Sequence, residues 1–271
     1  MISEKVQLLG KGCYSDIPDE ITLTSMPTAS ELDYVGSEDF NATMLDKILP
    51  SCVTEKIDFR KLLDIDYYWV CRCLRMINYG PYYTTNAIFC DRCRKRHTGE
   101  YRVDLTTIPC KPLPEGFTND IVISKDEFLD FNKDIHIQLP TIQDTINYEK
   151  DKAFQSADGA INRELARICY MMKSVGNDST INPIEAKMLI QDKMSPADYT
   201  VLKGMVDELT DYGLRAGGST QCPVCGNPNA TFIALMDDRF FRPTLGDIRQ
   251  WRSDRSSGKN DIVSRNKTKA V

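Results

Sequence analysis

The sequence contains no run of about 18 apolar residues and no N-terminal apolar stretch followed by a cleavage site. It therefore predicts neither a membrane span nor a secretory signal, and we expect a protein of the cytoplasm or one assembled from it. Only two of the 271 residues are histidine, and there is no glycine-rich phosphate loop, GxSxG elbow or HExxH helix. Because these are the motifs of common kinases, hydrolases and metalloproteases, we expect neither an enzyme nor catalytic residues.

Charge is unevenly distributed along the chain. The net charge is −5, yet residues 239–271 hold nine Lys and Arg against three Asp, which gives that segment +6 and residues 1–238 a charge of −11. An acidic body repels phosphate, so a general nucleic-acid partner is disfavoured. The basic C-terminal segment suits docking on acidic protein surfaces.

Ten cysteines are spread through the chain. A long chain without an export signal favours reduced thiols or metal ligands over a disulfide framework. Four of them form two CxxC pairs, Cys90 with Cys93 and Cys222 with Cys225. We interpret the remaining six as small residues that fill the core: Cys13, Cys52, Cys71, Cys73, Cys110 and Cys169.

The first eighty residues divide into an arm and helices. Residues 1–40 have no clear hydrophobic period and predict an extended N-terminal arm that becomes ordered against partners. NATMLDKILPSCV predicts a short helix stopped by Pro50. A longer helix is predicted over IDYYWVCRCLRMINYGP, ended by Gly80 and Pro81.

The rest of the chain predicts an α+β fold. β-branched and aromatic residues on both sides of each CxxC predict zinc-ribbon-like β-hairpin knuckles, and DIHIQLP predicts a further strand. A helical insert is expected at about 141–213, with one helix ending at Gly176 and two beginning at the caps Asn182 and Ser195. Residues 41–251 would form the domain, followed by a basic disordered tail at 252–271.

Two cysteines separated by two residues in a tight turn direct both sulfurs at one ion about 2.3 Å away. Glycine after the second cysteine favours this turn, and Gly226 supplies it in one knuckle, whereas Arg94 takes that place in the other. Each pair provides half of a tetrahedral shell. We therefore predict that the two hairpin tips share one structural Zn²⁺, with the ligands Cys90, Cys93, Cys222 and Cys225.

Alternatives remain open at this stage. One alternative is a site that has lost its metal or uses other ligands, of which His97 is the obvious spare one. Another is a redox-active pair, although a redox CxxC normally lies at the start of a helix. The basic run at residues 92–96 is the best case for nucleic-acid binding by a zinc ribbon, but Tyr101 is the only aromatic residue beside it. His136 alternates with two isoleucines and is interpreted as a strand-surface residue.

The order of these features resembles the T4-like baseplate hub assembly proteins of contractile-tailed bacteriophages. The resemblance covers roughly residues 41–251. It is carried by INYGP, a strand into the first knuckle, YRVDLTTIPCKPLPEGF, a strand, the helical insert, CPVCG and DDRFFRP. Its specific matches are an LP-G segment and an FF-P stretch, at Leu113, Pro114 and Gly116, and at Phe240, Phe241 and Pro243.

The resemblance implies a non-enzymatic structural or assembly component of the tail baseplate. Such a protein would be made late in infection, would help the hub or tail-tube initiation complex to form and would be located in the virion. Its partners would be other hub and tail proteins, or the tape-measure protein if it acts as an assembly chaperone. Phe240, Phe241 and Trp251 would then be interface anchors, or else would close the core.

Overall fold

The computed structural model describes residues 2–35, 37–176, 180–214, 219–228, 230–231, 240–241 and 243–256. The α-helices in this part of the chain are α1 (Thr28–Val35), α2 (Phe40–Thr43), α3 (Leu49–Cys52), α4 (Asp64–Tyr79), α5 (Ile142–Lys150), α6 (Arg163–Met171), α7 (Pro183–Lys193), α8 (Pro196–Thr210) and α9 (Leu245–Ser256). The strands are β1 (Ser3–Gln7), β2 (Glu20–Thr24), β3 (Tyr82–Cys90), β4 (Lys95–Asp104), β5 (Cys110–Lys111), β6 (Ile121–Ile123), β7 (Ile135–Ile137), β8 (Met172–Val175), β9 (Gly213–Leu214), β10 (Ser219–Thr220) and β11 (Ala230–Thr231).

The strands form small antiparallel sheets between the helices, which confirms the α+β prediction. Two sheets are the two-stranded pairs β1–β2 and β5–β9, one is three-stranded in the order β6-β7-β8, and one is four-stranded in the order β10-β11-β3-β4. The last sheet joins segments that are far apart in the chain. Among the described residues, no helix is both long and apolar enough to cross a bilayer.

The N-terminal segment is not an extended arm, so that prediction is wrong for its described residues. β1 and β2 form an antiparallel hairpin in which Ile21 and Leu23 are completely buried, and Tyr34 of α1 is buried as well. These side chains belong to the same apolar core as α4. Each fully buried aliphatic or aromatic side chain stabilises the fold by about 1.5–3 kcal/mol, so packing within the chain itself orders this segment.

Helix α4 lies at the centre of the fold and follows its prediction. Its apolar face, including Val70, Leu74 and Ile77, packs in the N-terminal core. The helix ends where predicted, because Gly80 takes the left-handed conformation at φ 79°. Only glycine fits there, since a Cβ on Gly80 would lie 2.4 Å from Cγ of Trp251.

Pro50 does not stop the helix before α4. A π-helical turn over Met44–Ile48 leads into α3, and Pro50 lies in the first turn of α3. Proline lacks the N–H of an intrahelical hydrogen bond, and the chain accommodates it at the junction between the π-helical turn and α3. The helical segment therefore continues to Cys52.

The region predicted as a helical insert contains α5 to α8 but also a strand. Met172–Val175, predicted as the end of a helix, forms β8 and pairs with β7. The caps of the next two helices are as predicted: Asn182 and Glu185 form a capping box, and Ser195 caps α8. The region shares a second core with β6 and β7, so it is built into the fold rather than set apart from it.

The C-terminal part contains buried aromatic residues and a helix. Phe240 and Phe241 are 0% and 1% exposed and lie in the N-terminal core, so they close the core and are not interface anchors. Helix α9 extends to Ser256, into the segment predicted as a disordered tail. The rest of that tail, residues 257–271, lies outside the described residues.

Candidate metal centre

The first CxxC pair lies at the tip of the β3–β4 hairpin. Cys90 is the last residue of β3 and pairs with Lys95, the first residue of β4. The turn between them carries Cys93 and ends at Arg94, whose φ is 51°. The sequence thus lacks a glycine here, but the backbone takes the left-handed conformation that the knuckle requires.

The second CxxC pair forms a matching turn between β10 and β11. The Cys222 N–H donates to the Asn227 carbonyl at 2.8 Å, and the Gly226 N–H donates to the Cys222 carbonyl at 3.0 Å. Gly226 has φ 68°, close to the value of Arg94 in the first knuckle. Both pairs are therefore in turns between strands, and neither begins a helix.

Strand pairing brings the two turns together. β11 pairs with β3 through Thr231 and Phe89, so the second hairpin extends the sheet of the first. Phe89 directly precedes Cys90. A pairing next to the first knuckle therefore places the second knuckle beside it, although the two pairs are more than a hundred residues apart.

The four sulfurs form one compact group. All four Sγ atoms lie within 4.8 Å of one another; Cys90 and Cys225 are 3.6 Å apart, and Cys93 and Cys222 are 3.9 Å apart. A tetrahedral site with metal–sulfur bonds of about 2.3 Å has sulfurs about 3.8 Å apart. A disulfide requires about 2.05 Å, and all ten cysteines are free thiols.

Donors surround the sulfur of Cys90. The Cys93 N–H points at this Sγ atom from 3.4 Å, and the Asn227 side-chain amide from 3.6 Å. The Cys93 N–H is the main reason that the pKa of the Cys90 thiol falls to about 6, and the Asn227 amide lowers it further. Hydrogen bonding to Cys225, together with burial, raises the pKa of Cys93 to about 12.

His97, which the sequence offered as a spare ligand, lies beside the cluster. It is a half-buried residue of β4 paired with Ile88, and its Nε2 is 3.5 Å from Cys222 Sγ. Four cysteines already fill a tetrahedral shell, so this distance suits a hydrogen bond to a thiolate better than a fifth ligand. The signal in the sequence was its position four residues after Cys93. His136, in contrast, is a strand-surface residue near Asp120, as predicted.

An apolar wall closes one side of the cluster. Ile88, Cys90 and Cys222 are buried, whereas Cys93 and Cys225 are half-buried, and Tyr101 packs against the group. Burial in apolar surroundings limits water access to the sulfurs. The site therefore has the enclosed character of a structural metal site.

The other six cysteines take no part in this cluster. Cys52, Cys71, Cys73 and Cys169 are buried, as expected of core-filling residues, while Cys13 and Cys110 are half-buried. Burial raises the pKa of Cys71 and Cys169, which keeps these thiols neutral. Within the described residues, no second group of cysteine, histidine or carboxylate ligands meets the geometry of a metal site.

Buried carboxylates, which the sequence analysis did not identify, have structural partners. Asp198 accepts backbone N–H groups of Leu129 and Phe131 together with the Ser195 hydroxyl. Burial would raise the pKa of Asp198, but these hydrogen bonds outweigh it and lower the pKa. Asp66 similarly accepts hydrogen bonds from the Gly10 N–H and from the Tyr14 hydroxyl, both in the loop after β1. Both carboxylates fasten loops to helices.

Comparison with known proteins adds no relative. No protein-family model, no curated protein and no solved structure matches this chain.

Proposed function

We propose that this chain is a non-enzymatic structural or assembly protein stapled by one Zn²⁺ at Cys90, Cys93, Cys222 and Cys225. The observation that carries the proposal is the convergence of all four sulfurs within 4.8 Å. The ion would join two hairpins that are far apart in sequence, and its binding free energy would become folding free energy.

The donor set favours zinc in a structural role. Four thiolates in a tetrahedral arrangement suit Zn²⁺, and they leave no open position for a reacting water. The N–H groups directed at Cys90 would support the thiolate form that a metal needs. We further propose a zinc-ribbon-like character for this pair of hairpins.

A thiol oxidoreductase is the competing class for CxxC motifs. Such enzymes place the reactive cysteine at the start of a helix, where the helix dipole stabilises the thiolate. Here both pairs lie in turns between strands. Each pair also has its close sulfur contacts with the other pair, which supports a shared ion.

We propose the tail baseplate of a contractile phage as the setting of this structural role. Support comes from the order of motifs in the sequence: INYGP, the first knuckle, the LP-G segment, the helical insert, CPVCG and the FF-P stretch. In this proposal the chain is assembled in the host cytoplasm, is located in the virion and contacts other hub and tail proteins. A chaperone acting on the tape-measure protein is the in-class alternative.

Native mass spectrometry tests the zinc staple. Wild-type protein purified with zinc should carry one ion per chain, and Cys90→Ser and Cys222→Ser should each lose it. Cys110→Ser is the matched control, because Cys110 is a half-buried cysteine outside the cluster, and it should keep the ion. Two ions per chain, or an ion kept by either ligand variant, would refute a shared site.

A stop codon early in the gene tests the assembly role. The expected result is filled heads without completed tails, restored by wild-type protein supplied in trans. Cys90→Ser supplied in the same way should restore fewer tails. Intact tails without the protein would refute the baseplate assignment and leave the zinc result unaffected.

A further inference from the structure

The tip of the β3–β4 hairpin carries an unneutralised basic surface. Arg92, Arg94, Lys95 and Arg96 are all exposed. Within the described part of the chain, no carboxylate lies within ion-pair distance of any of them. Positive charge is therefore concentrated at this tip within residues 1–238, which carry a net charge of −11.

Several surface cations elsewhere in the chain form ion pairs. Arg60 contacts Asp46 at 2.8 Å, and Lys61 contacts Asp16 at 2.6 Å. Ion pairs of this kind neutralise cations within the chain itself. The cations of the hairpin tip form no ion pair with a described carboxylate, although Asp91 lies in the same turn, so a phosphate or carboxylate from outside the chain would not have to displace such a partner.

An exposed aromatic ring lies within this basic surface. Phe89 is 45% exposed, although a phenylalanine in a short sheet would normally be buried. It pairs directly across the hairpin with Arg96, so the two side chains project from the same face. A ring and a guanidinium side by side provide a stacking surface and a phosphate contact in one place.

We propose that the hairpin tip, meaning Phe89 together with Arg92, Arg94, Lys95 and Arg96, binds a short segment of single-stranded nucleic acid. The ring selects for single strands, because only an unpaired base exposes a face for stacking. The acidic body confines the contact to a few nucleotides, since phosphates beyond the tip would meet like charge.

This activity goes beyond the structural role proposed above and does not depend on the baseplate setting. The turn that presents Arg92 and Arg94 contains Cys93, so the cysteine cluster determines its shape. Zinc content is therefore measured for every variant. A variant whose turn has lost its shape is thereby distinguished from one that has lost only its contacts with the nucleic acid.

The experiment is fluorescence anisotropy with labelled oligothymidine and oligouridine of about 12 nucleotides. The zinc-loaded full chain should bind both oligonucleotides. The slope of log K for binding against the logarithm of the salt concentration should be about −3 for four cations. Phe89→Ala should weaken binding about 5- to 100-fold, whereas Phe89→Tyr should keep it, because a base stacks on either ring.

Charge variants separate a specific surface from general attraction. The triple variant Arg92→Gln, Lys95→Gln, Arg96→Gln should reduce the salt slope to about −1. The matched control removes the same charge at exposed lysines elsewhere, through Lys56→Gln, Lys152→Gln and Lys193→Gln, and should bind like wild type. Every variant should retain one zinc per chain.

Four results would overturn the proposal. The first three are no binding at about 50 mM salt, equal affinity for a duplex of the same length, and wild-type affinity in Phe89→Ala. Displacement of the oligonucleotide by polyglutamate at equal charge concentration would also overturn it, and would assign the tip to an acidic protein surface.

Discussion

Arg94 and Gly226 take the same left-handed backbone conformation, at φ 51° and φ 68°, each directly after the second cysteine of its knuckle. An L-residue with a side chain is disfavoured there by about 1–2 kcal/mol, while glycine is not. The two knuckles therefore share one backbone conformation at this position, although one has arginine there and the other glycine. The first knuckle contains backbone strain that the second one lacks.

We expect Arg94→Gly to raise the free energy of unfolding by about 0.5–1 kcal/mol, because it relieves this strain at some cost in unfolded-state entropy. Gly226→Ala should lower it by about 1–2 kcal/mol. Urea unfolding of the zinc-loaded protein measures both. The control is Gly204→Ala in the interior of α8, where a Cβ meets nothing within 4 Å. There the same substitution should stabilise by about 1 kcal/mol. Equal effects at Gly204 and Gly226 would contradict the argument.

Removal of the metal should loosen the knuckles and leave the rest of the fold intact. The cysteines form a small cluster of their own, whereas the two larger cores contain none of the four. With a chelator, amide hydrogen exchange should increase at residues 85–101 and 219–231, and protection in α4 should persist. Cys110→Ser without chelator should show the wild-type pattern. Loss of protection in α4 on chelation would mean that the ion stabilises the whole domain.

Two buried arginines on α4 should differ sharply in their contribution to stability. Arg75 donates to the carbonyls of Phe240, Gly80 and Tyr82 at 2.6, 2.9 and 2.8 Å. Arg72 is also buried, but its Nε has no hydrogen-bond partner among the described residues, and its guanidinium stacks over Trp69 at 5.1 Å. Arg75→Met removes all three of these hydrogen bonds and should cost about 3–5 kcal/mol.

Arg72→Met is the matched control for this prediction, because it removes the same charge three residues earlier on the helix. It should cost about 1 kcal/mol or less, since methionine replaces the buried aliphatic stem. Thermal and urea unfolding measure both variants. Similar losses in the two would show that burial of charge, and not the carbonyl contacts, determines their effect.

Asp64 should make the protein less stable as the pH rises. Burial raises the pKa of Asp64 to about 7, above its ordinary value of 3.8. Between these values the folded state holds a proton that the unfolded state has lost, so the free energy of unfolding falls with increasing pH. Because the side chain keeps some exposure, we expect a loss of about 1–2 kcal/mol from pH 4.5 to pH 7.5.

Asp64→Asn should remove this component and flatten the profile over the same range, because an amide does not titrate. Asp192→Asn, at an exposed position in α7, serves as the control for the change in net charge. Urea unfolding across the pH range provides the measurement. A profile that stays as steep in Asp64→Asn as in wild type would assign the pH dependence to other groups.

Short-range features of the fold follow from the sequence itself. Helix α4 with its end at Gly80, the capping box of Asn182 and Glu185, and the cap at Ser195 are all as predicted. Each depends on residues within about four positions of one another, because helix caps and turns use hydrogen bonds between near neighbours. The same holds for the two CxxC turns between strands.

Only the tertiary structure decided the features that depend on distant partners. Met172–Val175 is a strand because β7 offers it a ladder of hydrogen bonds, and the N-terminal hairpin is ordered because α4 offers it an apolar face. Phe240 is buried and Phe89 is exposed, although both are phenylalanines beside strand-like or aromatic segments.

The cysteine site depends both on local spacing in the sequence and on long-range strand pairing. The spacing within each CxxC pair marks Cys90, Cys93, Cys222 and Cys225 as candidate ligands, since a two-residue gap is a local property. Whether the pairs meet depends on the β3–β11 pairing next to Phe89, which no local pattern specifies. The sequence by itself thus determined which residues could bind a metal. The long-range strand pairing decided that they lie together, because contacts between distant segments form only where the whole chain packs.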